Sequence, residues 1–287
     1  MNLITGSNGS CAHYLKAELK DWKGMARPEH NLLYLDDCYN YLKANKPDVI
    51  YHLAAKANVR ESFDRANEVF GDNTRMTINL FDACLGLNIR PTFVICSTSE
   101  VYGNPAQWPI TEEFDTSTQT NPYAVSKRAQ ELIARHYELV YDFPVVITRA
   151  FGYVNPKRAN LALTNFARQI VAIERGEQQS LKHGNLDSIR TFCDVRDIVK
   201  AYVIASKYPG KVFNIGSEEA ISVGDALKLL TSYSQAEILT VQDDSLMRPM
   251  DVTNVIPSCL HFRNITGWQP MIPLKDSLQW LLSTCRA

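Results

Sequence analysis

The sequence lacks several features that mark whole classes of protein. No apolar run approaches the roughly 20 residues that a helix needs to span a bilayer. The apolar part of the first six residues is too short for a signal peptide. The formal net charge is only −1, so the basic surplus of a general nucleic-acid or membrane-surface binder is missing. We therefore expect a cytoplasmic protein with no nucleic-acid and no membrane partner.

The chain also lacks paired cysteines and any clear metal site. Seven cysteines are scattered at positions 11, 38, 84, 96, 193, 259 and 285, and no Cys-x-x-Cys occurs. An odd, dispersed set is typical of reduced thiols in the cytosol that serve as small core residues. His52 has no neighbour in the sequence that completes a metal site, so we expect it to be packed or capping and expect no metal.

The sequence does contain a long alternation of strand and helix patterns. Its 287 residues, 45% hydrophobic and 21% charged, suffice for one large α/β domain or two modest ones. Six β-then-α alternations up to residue 150 predict an α/β fold with a doubly wound, mostly parallel Rossmann sheet. We assign residues 1–150 to this domain. The less regular residues 151–287 predict a smaller α+β substrate-binding domain, with segments of roughly 190–215 returning to the sheet domain.

A glycine turn follows the first predicted strand, at residues 2–4. The turn reads Thr5-Gly6-Ser7-Asn8-Gly9-Ser10-Cys11-Ala12, and a helical run follows from 13 to 20. Gly6 permits a tight turn, Gly9 lets the backbone approach a pyrophosphate, and the helix N-terminus offers unpaired N–H groups to it. With two glycines only, a plain strand–helix turn is the alternative.

The next two predicted strands bear on which dinucleotide is bound. Residues 21–27 hold the second strand, with Arg27 at its end where an acidic residue would accept a ribose 2′-hydroxyl. Arg27 suits a 2′-phosphate, so we expect NADP, with NAD as the alternative if Arg27 is a surface charge. Residues 32–37 predict a third strand that ends in Asp36 and Asp37. A carboxylate there can accept from an adenine amino group, or Asp37 can cap a helix over 38–45.

Small and polar side chains follow two further predicted strands. Residues 47–55 end in Leu53, Ala54 and Ala55, which leave room for a flat cofactor, and Asn73 lies on a long helix predicted over 64–87. Residues 90–96 lead into Ser97-Thr98-Ser99-Glu100. Open α/β sheets bind their ligands at the carboxyl ends of strands, so these groups are candidate site residues.

A tyrosine and a lysine lie four residues apart on the central predicted helix. Asn121 reads as its N-cap and Pro122 as its first residue, and the helix runs to about Tyr141. Tyr123 and Lys127 then share one helix face. An ammonium beside a phenol lowers the phenol pKa from about 10, so that Tyr123 could exchange a proton with a substrate hydroxyl. The alternative is an amphipathic tyrosine on a packed helix.

Taken together, these motifs resemble the extended short-chain dehydrogenase/reductase family, in its nucleotide-sugar branch. The resemblance runs from end to end of the chain and rests on Thr5-Gly6-x-x-Gly9-x-x-Ala12, His52-Leu53-Ala54-Ala55, Ser97-Thr98-Ser99-Glu100-Val101-Tyr102-Gly103, Tyr123-x-x-x-Lys127, Arg149 and Gly267-Trp268-x-Pro270. Two narrower matches, Gly184-Asn185-Leu186-Asp187-x-x-Arg190 and Arg248-Pro249-Met250-Asp251-Val252, are similar to enzymes of GDP-linked hexoses, the GDP-mannose 4,6-dehydratases and GDP-4-keto-6-deoxymannose reductases.

The resemblance implies a role for each candidate residue. The implied catalytic residues are Thr98, Glu100, Tyr123 and Lys127. The implied cofactor-binding residues are Gly6, Asn8, Gly9, Ser10, Arg27, Asp36, Asp37, Leu53, Ala54, Ala55 and Asn73, together with Tyr123 and Lys127. The implied substrate-binding residues are Arg149, Asn155, Arg168, Asn185, Arg190, Arg248 and Asp251, where Arg190 and Arg248 would grip a diphosphate. No metal is implied.

The resemblance favours an NADP-dependent 4,6-dehydratase that acts on GDP-mannose. In that chemistry Tyr123 takes the proton of the sugar 4-hydroxyl, Thr98 orients the 4-oxygen, and Glu100 removes the C5 proton before water leaves C6. The alternative is an NADPH-dependent GDP-4-keto-6-deoxymannose reductase. Further alternatives are a UDP-sugar epimerase or decarboxylase, and a catalytically silent nucleotide-sugar or dinucleotide sensor.

Two departures from the family pattern qualify these expectations. Gly152 stands where the family usually has Asn, and Asn155 stands where it usually has Gly, so contacts to the substrate from this loop are in doubt. The Arg-rich segment that builds dehydratase tetramers is also missing after Arg27, which is a reductase-like feature. We therefore expect a homodimer.

Overall fold

Six parallel strands form the central sheet of the protein. The computed structural model describes residues 1–247 and 252–287, so the predicted site residues Arg248 and Asp251 lie outside the described residues. Within the described part, the strands are β1 (Asn2–Thr5), β2 (Trp22–Met25), β3 (Val49–His52), β4 (Thr92–Thr98), β5 (Val145–Ala150), β6 (Tyr153–Val154), β7 (Leu181–His183), β8 (Ile189–Thr191), β9 (Cys193–Asp194), β10 (Val212–Ile215), β11 (Ala220–Ser222) and β12 (Thr240–Gln242). The sheet order is β10-β5-β4-β3-β1-β2. The predicted doubly wound parallel sheet is thus confirmed.

Helices cover both faces of this sheet. They are α1 (Ser10–Glu18), α2 (Leu35–Asn45), α3 (Val59–Asp64), α4 (Ala66–Gly86), α5 (Pro122–Tyr141), α6 (Ala162–Glu174), α7 (Val195–Ala205), α8 (Val223–Thr231), α9 (Leu260–Thr266) and α10 (Leu274–Arg286), with short 3₁₀ helices at Ser99–Tyr102 and Asp244–Leu246. No helix in the described ranges is both long and apolar enough to cross a bilayer.

Successive strand residues pack into two different cores. Leu3 and Phe93 lie in the core that includes residues of α2, α4 and α5, whereas their neighbours Ile4 and Val94 lie in the core that includes residues of α1 and α7. Because side chains alternate across a strand, a strand that is buried on both faces must be apolar throughout. This explains the continuous hydrophobic runs of β3, β4 and β5.

The predicted third strand over 32–37 is wrong. The chain turns at this point and enters α2 at Leu35. The Asp37 carboxylate accepts from the Asn31 backbone N–H at 2.6 Å and contacts His30 Nδ1 at 3.0 Å, which closes the turn. Asp36 and Asp37 occupy the first helical turn, where the helix dipole favours acidic side chains. Tyr34 occupies the N-cap position that was suggested for Asp37, and its side chain makes no capping hydrogen bond.

The sixth sheet strand therefore comes from later in the chain. β10 pairs in parallel with β5, with Val212 opposite Ile147 and Ile215 opposite Ala150. Outside the sheet, α6, α8 and α10 pack on one another around Leu163, Ile170 and Leu281. The division into two domains at residue 150 stays a prediction. The sheet order reverses direction at β1 and β3, and a crevice at their carboxyl ends is where such sheets bind ligands.

Candidate active site

The glycine turn after β1 is closely packed against the end of β3. Gly6 has φ +64°, and a Cβ at this position would lie 2.9 Å from the Ala54 Cα. A Cβ on Gly9 would lie 2.9 Å from the Gly6 carbonyl oxygen. Side chains are therefore excluded at both positions, and the backbone of the turn is left open at the start of α1. This is the cradle that a pyrophosphate needs.

Two cavities extend from this turn along the carboxyl edge of the sheet. The larger, of about 440 Å³, reaches the ends of β4 and β5, and the smaller, of about 140 Å³, lies over the end of β2. They share Gly6 and Ala55, so we treat them as one cleft. The predicted site residues that line it are Gly6, Gly9, Ser10, Arg27, Leu53, Ala54, Ala55, Thr98, Glu100, Tyr123 and Lys127.

Four other predicted cofactor residues support this cleft or lie apart from it. Asn8 donates from Nδ2 to the Arg27 carbonyl at 3.0 Å and thereby ties the glycine turn to the end of β2. Asn73 is buried; it accepts from the Lys56 N–H at 2.7 Å and donates to Ser126 Oγ at 2.8 Å. The described cleft lining does not include Asn8, Asn73, Asp36 or Asp37. The Asp37 carboxylate is engaged in the turn before α2, and its contact with adenine stays a prediction.

Thr98 and Glu100 are fixed at the end of β4 by the start of α5. Thr98 Oγ1 accepts from the Glu100 N–H at 3.3 Å. Glu100 Oε2 accepts from Asn121 Nδ2 at 2.7 Å, and Asn121 Oδ1 accepts from the Ala124 N–H at 2.8 Å. The predicted N-cap role of Asn121 is confirmed. The same side chain joins the Glu100 carboxylate to the helix that carries Tyr123.

Tyr123 and Lys127 lie on the buried face of α5, beneath the cleft. Burial raises the pKa of the Tyr123 phenol above its ordinary value, and the Arg158 guanidinium and a hydrogen bond with Thr98 offset only part of that increase. Burial lowers the pKa of Lys127 from 10.5 to about 8. The predicted decrease in the phenol pKa is therefore wrong, because loss of hydration outweighs the nearby positive charge. At neutral pH both side chains carry their protons.

Arg158 is a cleft residue that the sequence reasoning missed. Its guanidinium donates to Tyr153 Oη at 2.8 Å, to the Ala57 carbonyl at 2.6 Å and to Asn160 Oδ1 at 3.2 Å. All three acceptors are neutral, and no ion pair of Arg158 occurs among the described residues. A half-buried cation in a cleft is often paired, and one N–H on each terminal nitrogen of Arg158 remains for an oxyanion. The only signal in the sequence was a basic residue in the segment between β6 and α6.

Arg149 was predicted to bind substrate, and the structure corrects this. Its guanidinium is buried and donates from Nε and Nη2 to both oxygens of Glu131, at 3.0 and 2.8 Å. Nη1 donates to Tyr102 Oη at 2.9 Å and to the Glu112 carbonyl at 3.2 Å. Because the guanidinium is held within the protein, Arg149 supports the sheet edge rather than contacting a ligand in the cleft.

The other predicted substrate residues in the described ranges also lie outside the cleft lining. Asn155 is fully buried in a turn and accepts from the Lys157 N–H at 3.0 Å. Arg168 is exposed on α6 beside Cys285. Asn185 shapes a turn by accepting from the Asp187 N–H at 2.9 Å, and Arg190 donates to the Val252 carbonyl at 2.6 Å. None of these four residues lines the two described cavities, so their contact with a substrate stays a prediction.

The structure explains why glycine stands at position 152. A Cβ on Gly152 would lie 2.4 Å from the Thr191 carbonyl oxygen, and the Cys193 N–H donates to the Gly152 carbonyl at 2.9 Å. The segment that leads into β9 is packed directly on this backbone. An asparagine cannot be accommodated here without moving that segment, so this chain lacks an amide side chain at that point of the cleft.

Comparison with known proteins agrees with this architecture. The family model for GDP-mannose 4,6 dehydratase matches residues 26–280. A GDP-6-deoxy-D-mannose reductase of Pseudomonas aeruginosa is 31% identical over 98% of this chain and 95% of its own length. Human dTDP-D-glucose 4,6-dehydratase is 30% identical over 83% of this chain and 68% of its own length.

Two solved structures of similar proteins share the fold of this chain. RMD from Pseudomonas aeruginosa, complexed with NADPH, is 30% identical and superimposes with a TM-score of 0.91 over 99% of this chain and 98% of that one. UDP-glucose 4-epimerase of Thermus thermophilus, in complex with NAD, shares the fold at 20% identity, with a TM-score of 0.86 over 99% of this chain and 98% of its own. The chain therefore belongs to the GDP-mannose 4,6 dehydratase family, among the extended short-chain dehydrogenases/reductases of nucleotide sugars.

Proposed function

We propose that the protein catalyses the NADPH-dependent reduction of the 4-keto group of a GDP-linked 4-keto-6-deoxyhexose. One observation carries this choice over dehydration: the chain is 31% identical, over 98% of its length, to a GDP-6-deoxy-D-mannose reductase. Reduction of a ketone needs a proton donor at the substrate oxygen, whereas dehydration of GDP-mannose begins by taking a proton from the 4-hydroxyl. The protonated phenol of Tyr123, whose pKa is raised by burial, is compatible with the donor role.

The cleft has the groups that a dinucleotide requires. The open backbone at Gly6 and Gly9 and the start of α1 would hold the pyrophosphate, and the unpaired N–H groups of Arg158 would bind an oxyanion beside it. Arg27, at the end of β2, would contact the 2′-phosphate, which makes NADP the proposed cofactor and NAD the alternative. When bound, NADPH supplies the hydride to C4. The NADPH complex of the similar structure supports this assignment.

The side chains of the protein would supply the proton. Tyr123 donates its phenolic proton to the 4-oxygen while C4 is reduced, and Thr98 hydrogen-bonds the same oxygen. The Lys127 ammonium, protonated below its pKa of about 8, stabilises the phenolate that is left. Leu53, Ala54 and Ala55 would leave room for the cofactor, while Asn73 holds the chain that follows them.

Dehydration of GDP-mannose is the second candidate function. It is favoured by Glu100, whose carboxylate lines the same cavity as Thr98 and Tyr123 and could remove a C5 proton. Against it, Glu100 Oε2 already accepts from Asn121, which gives the side chain a structural role at the start of α5. Replacing Glu100 by Gln should therefore leave ketone reduction within about tenfold of wild type, whereas a dehydratase should lose its activity.

Several further assignments belong to the same proposal. Arg190, with Arg248 and Asp251, would bind the diphosphate and ribose of the substrate. Residues 151–287 would form most of the nucleotide-sugar domain. A homodimer is favoured by three exposed apolar residues seven apart on α5, namely Val125, Leu132 and Leu139, which are 40%, 55% and 80% exposed. An exposed stripe of this kind is typical of an interface between helices. A cytoplasmic location is part of the same proposal.

A direct assay separates the two candidate functions. The protein is incubated with NADPH and GDP-4-keto-6-deoxymannose, or with GDP-mannose and NADP, and products are followed by mass. We expect oxidation of NADPH with the keto sugar and no loss of water from GDP-mannose. The opposite pattern would establish the dehydratase, and no reaction with either sugar would refute both. Tyr123→Phe, which keeps the ring and removes the proton donor, is the control.

A further inference from the structure

A buried carboxylate lies one helical turn beyond Lys127. Glu131 is fully buried on α5, and the spacing of four residues puts it on the same helix face as Lys127. Its Oε1 accepts from Ser97 Oγ at 2.5 Å, and its Oε2 accepts from Arg128 Nη1 at 3.0 Å. Ser97 directly precedes Thr98 and lines the cleft. Glu131 therefore joins the helix that carries Tyr123 to the strand end that carries Thr98.

Arg149 extends this connection across the sheet. It pairs with both oxygens of Glu131 and donates to Tyr102 Oη, which in turn donates to Asn214 Oδ1 of β10 at 2.6 Å. Tyr102 ends the 3₁₀ helix that contains Glu100. The strand end and the turn after it are thus held from β5, β10 and α5 together, and Glu131 is the anion on which these contacts converge.

Several titratable groups surround Lys127. They are Cys96 from β4, His52 from β3, and Tyr123 and Glu131 from α5, with Arg128 and Arg149 behind Glu131. Burial raises the pKa of the Cys96 thiol and lowers the pKa of His52 to about 3, so both are neutral near pH 7. The described residues form no ion pair between Lys127 and Glu131, so the charge of Glu131 would act on the Lys127 ammonium through space, from the next turn of α5.

We propose that Glu131 is a positioning residue, which anchors the Ser97–Glu100 strand end in the geometry for proton transfer and whose negative charge acts on the Lys127 ammonium from one helical turn away. The functional part rests on the roles proposed above for Tyr123 and Lys127. A purely structural Glu131, serving only as partner to Arg149, would matter for stability but not for the protonation of Lys127. A titration of Lys127 distinguishes these roles, because stability alone does not shift it.

The test is an NMR titration of the full chain labelled with ¹³C at the lysine ε-carbons. Lys127→Arg identifies the resonance. In wild type we expect Lys127 to titrate near pH 8, as burial lowers its pKa to about that value. Replacing Glu131 by Gln removes the nearby negative charge and should lower the pKa of Lys127 by about one unit or more. Glu138→Gln is the matched control, since Glu138 also lies on α5 and pairs with an arginine, Arg135.

The titration measures the effect of the Glu131 charge on Lys127 and does not depend on enzymatic turnover. Unchanged titration of Lys127 in Glu131→Gln, or an equal change in Glu138→Gln, would overturn the proposal. If Glu131→Gln does not fold because Arg149 is left unpaired, the double variant with Arg149→Met removes both buried charges and should show the same downward direction.

A parallel activity profile links the titration to function. In Glu131→Gln, the alkaline limb of kcat/KM should move to lower pH together with the Lys127 titration. If wild type reduces no nucleotide sugar at all, the proposed function fails while the titration still decides whether Glu131 acts on Lys127. If turnover is present but its alkaline limb stays in place, Glu131 does not act through Lys127.

Discussion

Replacing Lys127 by Met should stabilise the protein while removing its activity. The lysine is fully buried, and burial lowers its pKa from 10.5 to about 8. At about 1.4 kcal/mol per pKa unit, this difference corresponds to roughly 3 kcal/mol of unfavourable free energy for keeping the ammonium in the folded protein near pH 7. Methionine has a similar shape without the charge. We therefore expect Lys127→Met to raise the free energy of unfolding by about 2–3 kcal/mol at pH 7.

The stability difference between Lys127→Met and wild type should change with pH in a defined direction. As pH rises through about 8, the folded protein loses the Lys127 proton first, while the unfolded chain keeps it up to about 10.5. The penalty is therefore full below pH 8 and disappears as pH approaches 10.5. Urea unfolding at a series of pH values should show the difference between variant and wild type falling towards zero over this range.

An exposed lysine provides the control for this measurement. Lys43 is exposed on α2, so Lys43→Met should change stability by less than about 0.5 kcal/mol at every pH. The reasoning is refuted if Lys127→Met is less stable than wild type at pH 7, or if its advantage does not change between pH 7 and 10.5.

Three other substitutions test separate parts of the site. Tyr123→Phe should reduce kcat by about a hundredfold or more while the Kd for NADPH, measured by calorimetry, stays within about threefold. Arg27→Met should weaken NADPH binding by roughly tenfold to a hundredfold and leave NADH binding unchanged, and equal losses for both would remove Arg27 from the 2′-phosphate site. Arg149→Met should lower the free energy of unfolding by about 3–5 kcal/mol, because the buried Glu131 carboxylate loses its two-point partner and keeps only Arg128 and Ser97. A change in KM at unaltered stability would restore Arg149 as a substrate contact.

The sequence was most informative where a local pattern determines the backbone. Four local features are present in the structure as expected. They are the glycine turn, the small residues after β3, the N-cap Asn121 and the Tyr123–Lys127 spacing. The pattern failed at residues 32–37, where an apolar run before two aspartates reads as a strand. There the side chain of Asp37 bonds to the backbone six residues earlier, and such a contact is not visible in periodicity.

Contacts between residues far apart in the sequence were the second feature that the sequence did not predict. Arg149 reads as a free cation at the end of a strand, and only the fold shows that Glu131 and Tyr102 surround its guanidinium. Arg158 shows the opposite case, since its loop sequence does not indicate that its half-buried guanidinium has only neutral partners. The pKa of Tyr123 likewise depends on burial, which a helix-face argument does not include.

The proposed reduction is tested most directly by following where a labelled hydride goes. The protein is given GDP-4-keto-6-deoxymannose and NADPH that carries deuterium in the transferred position, and the sugar product is examined by mass and NMR. The account predicts one deuterium on C4 of a 6-deoxyhexose, with one NADPH oxidised per product, and no such product with Tyr123→Phe. Water loss from GDP-mannose without net oxidation of cofactor, or deuterium at C6, would contradict it.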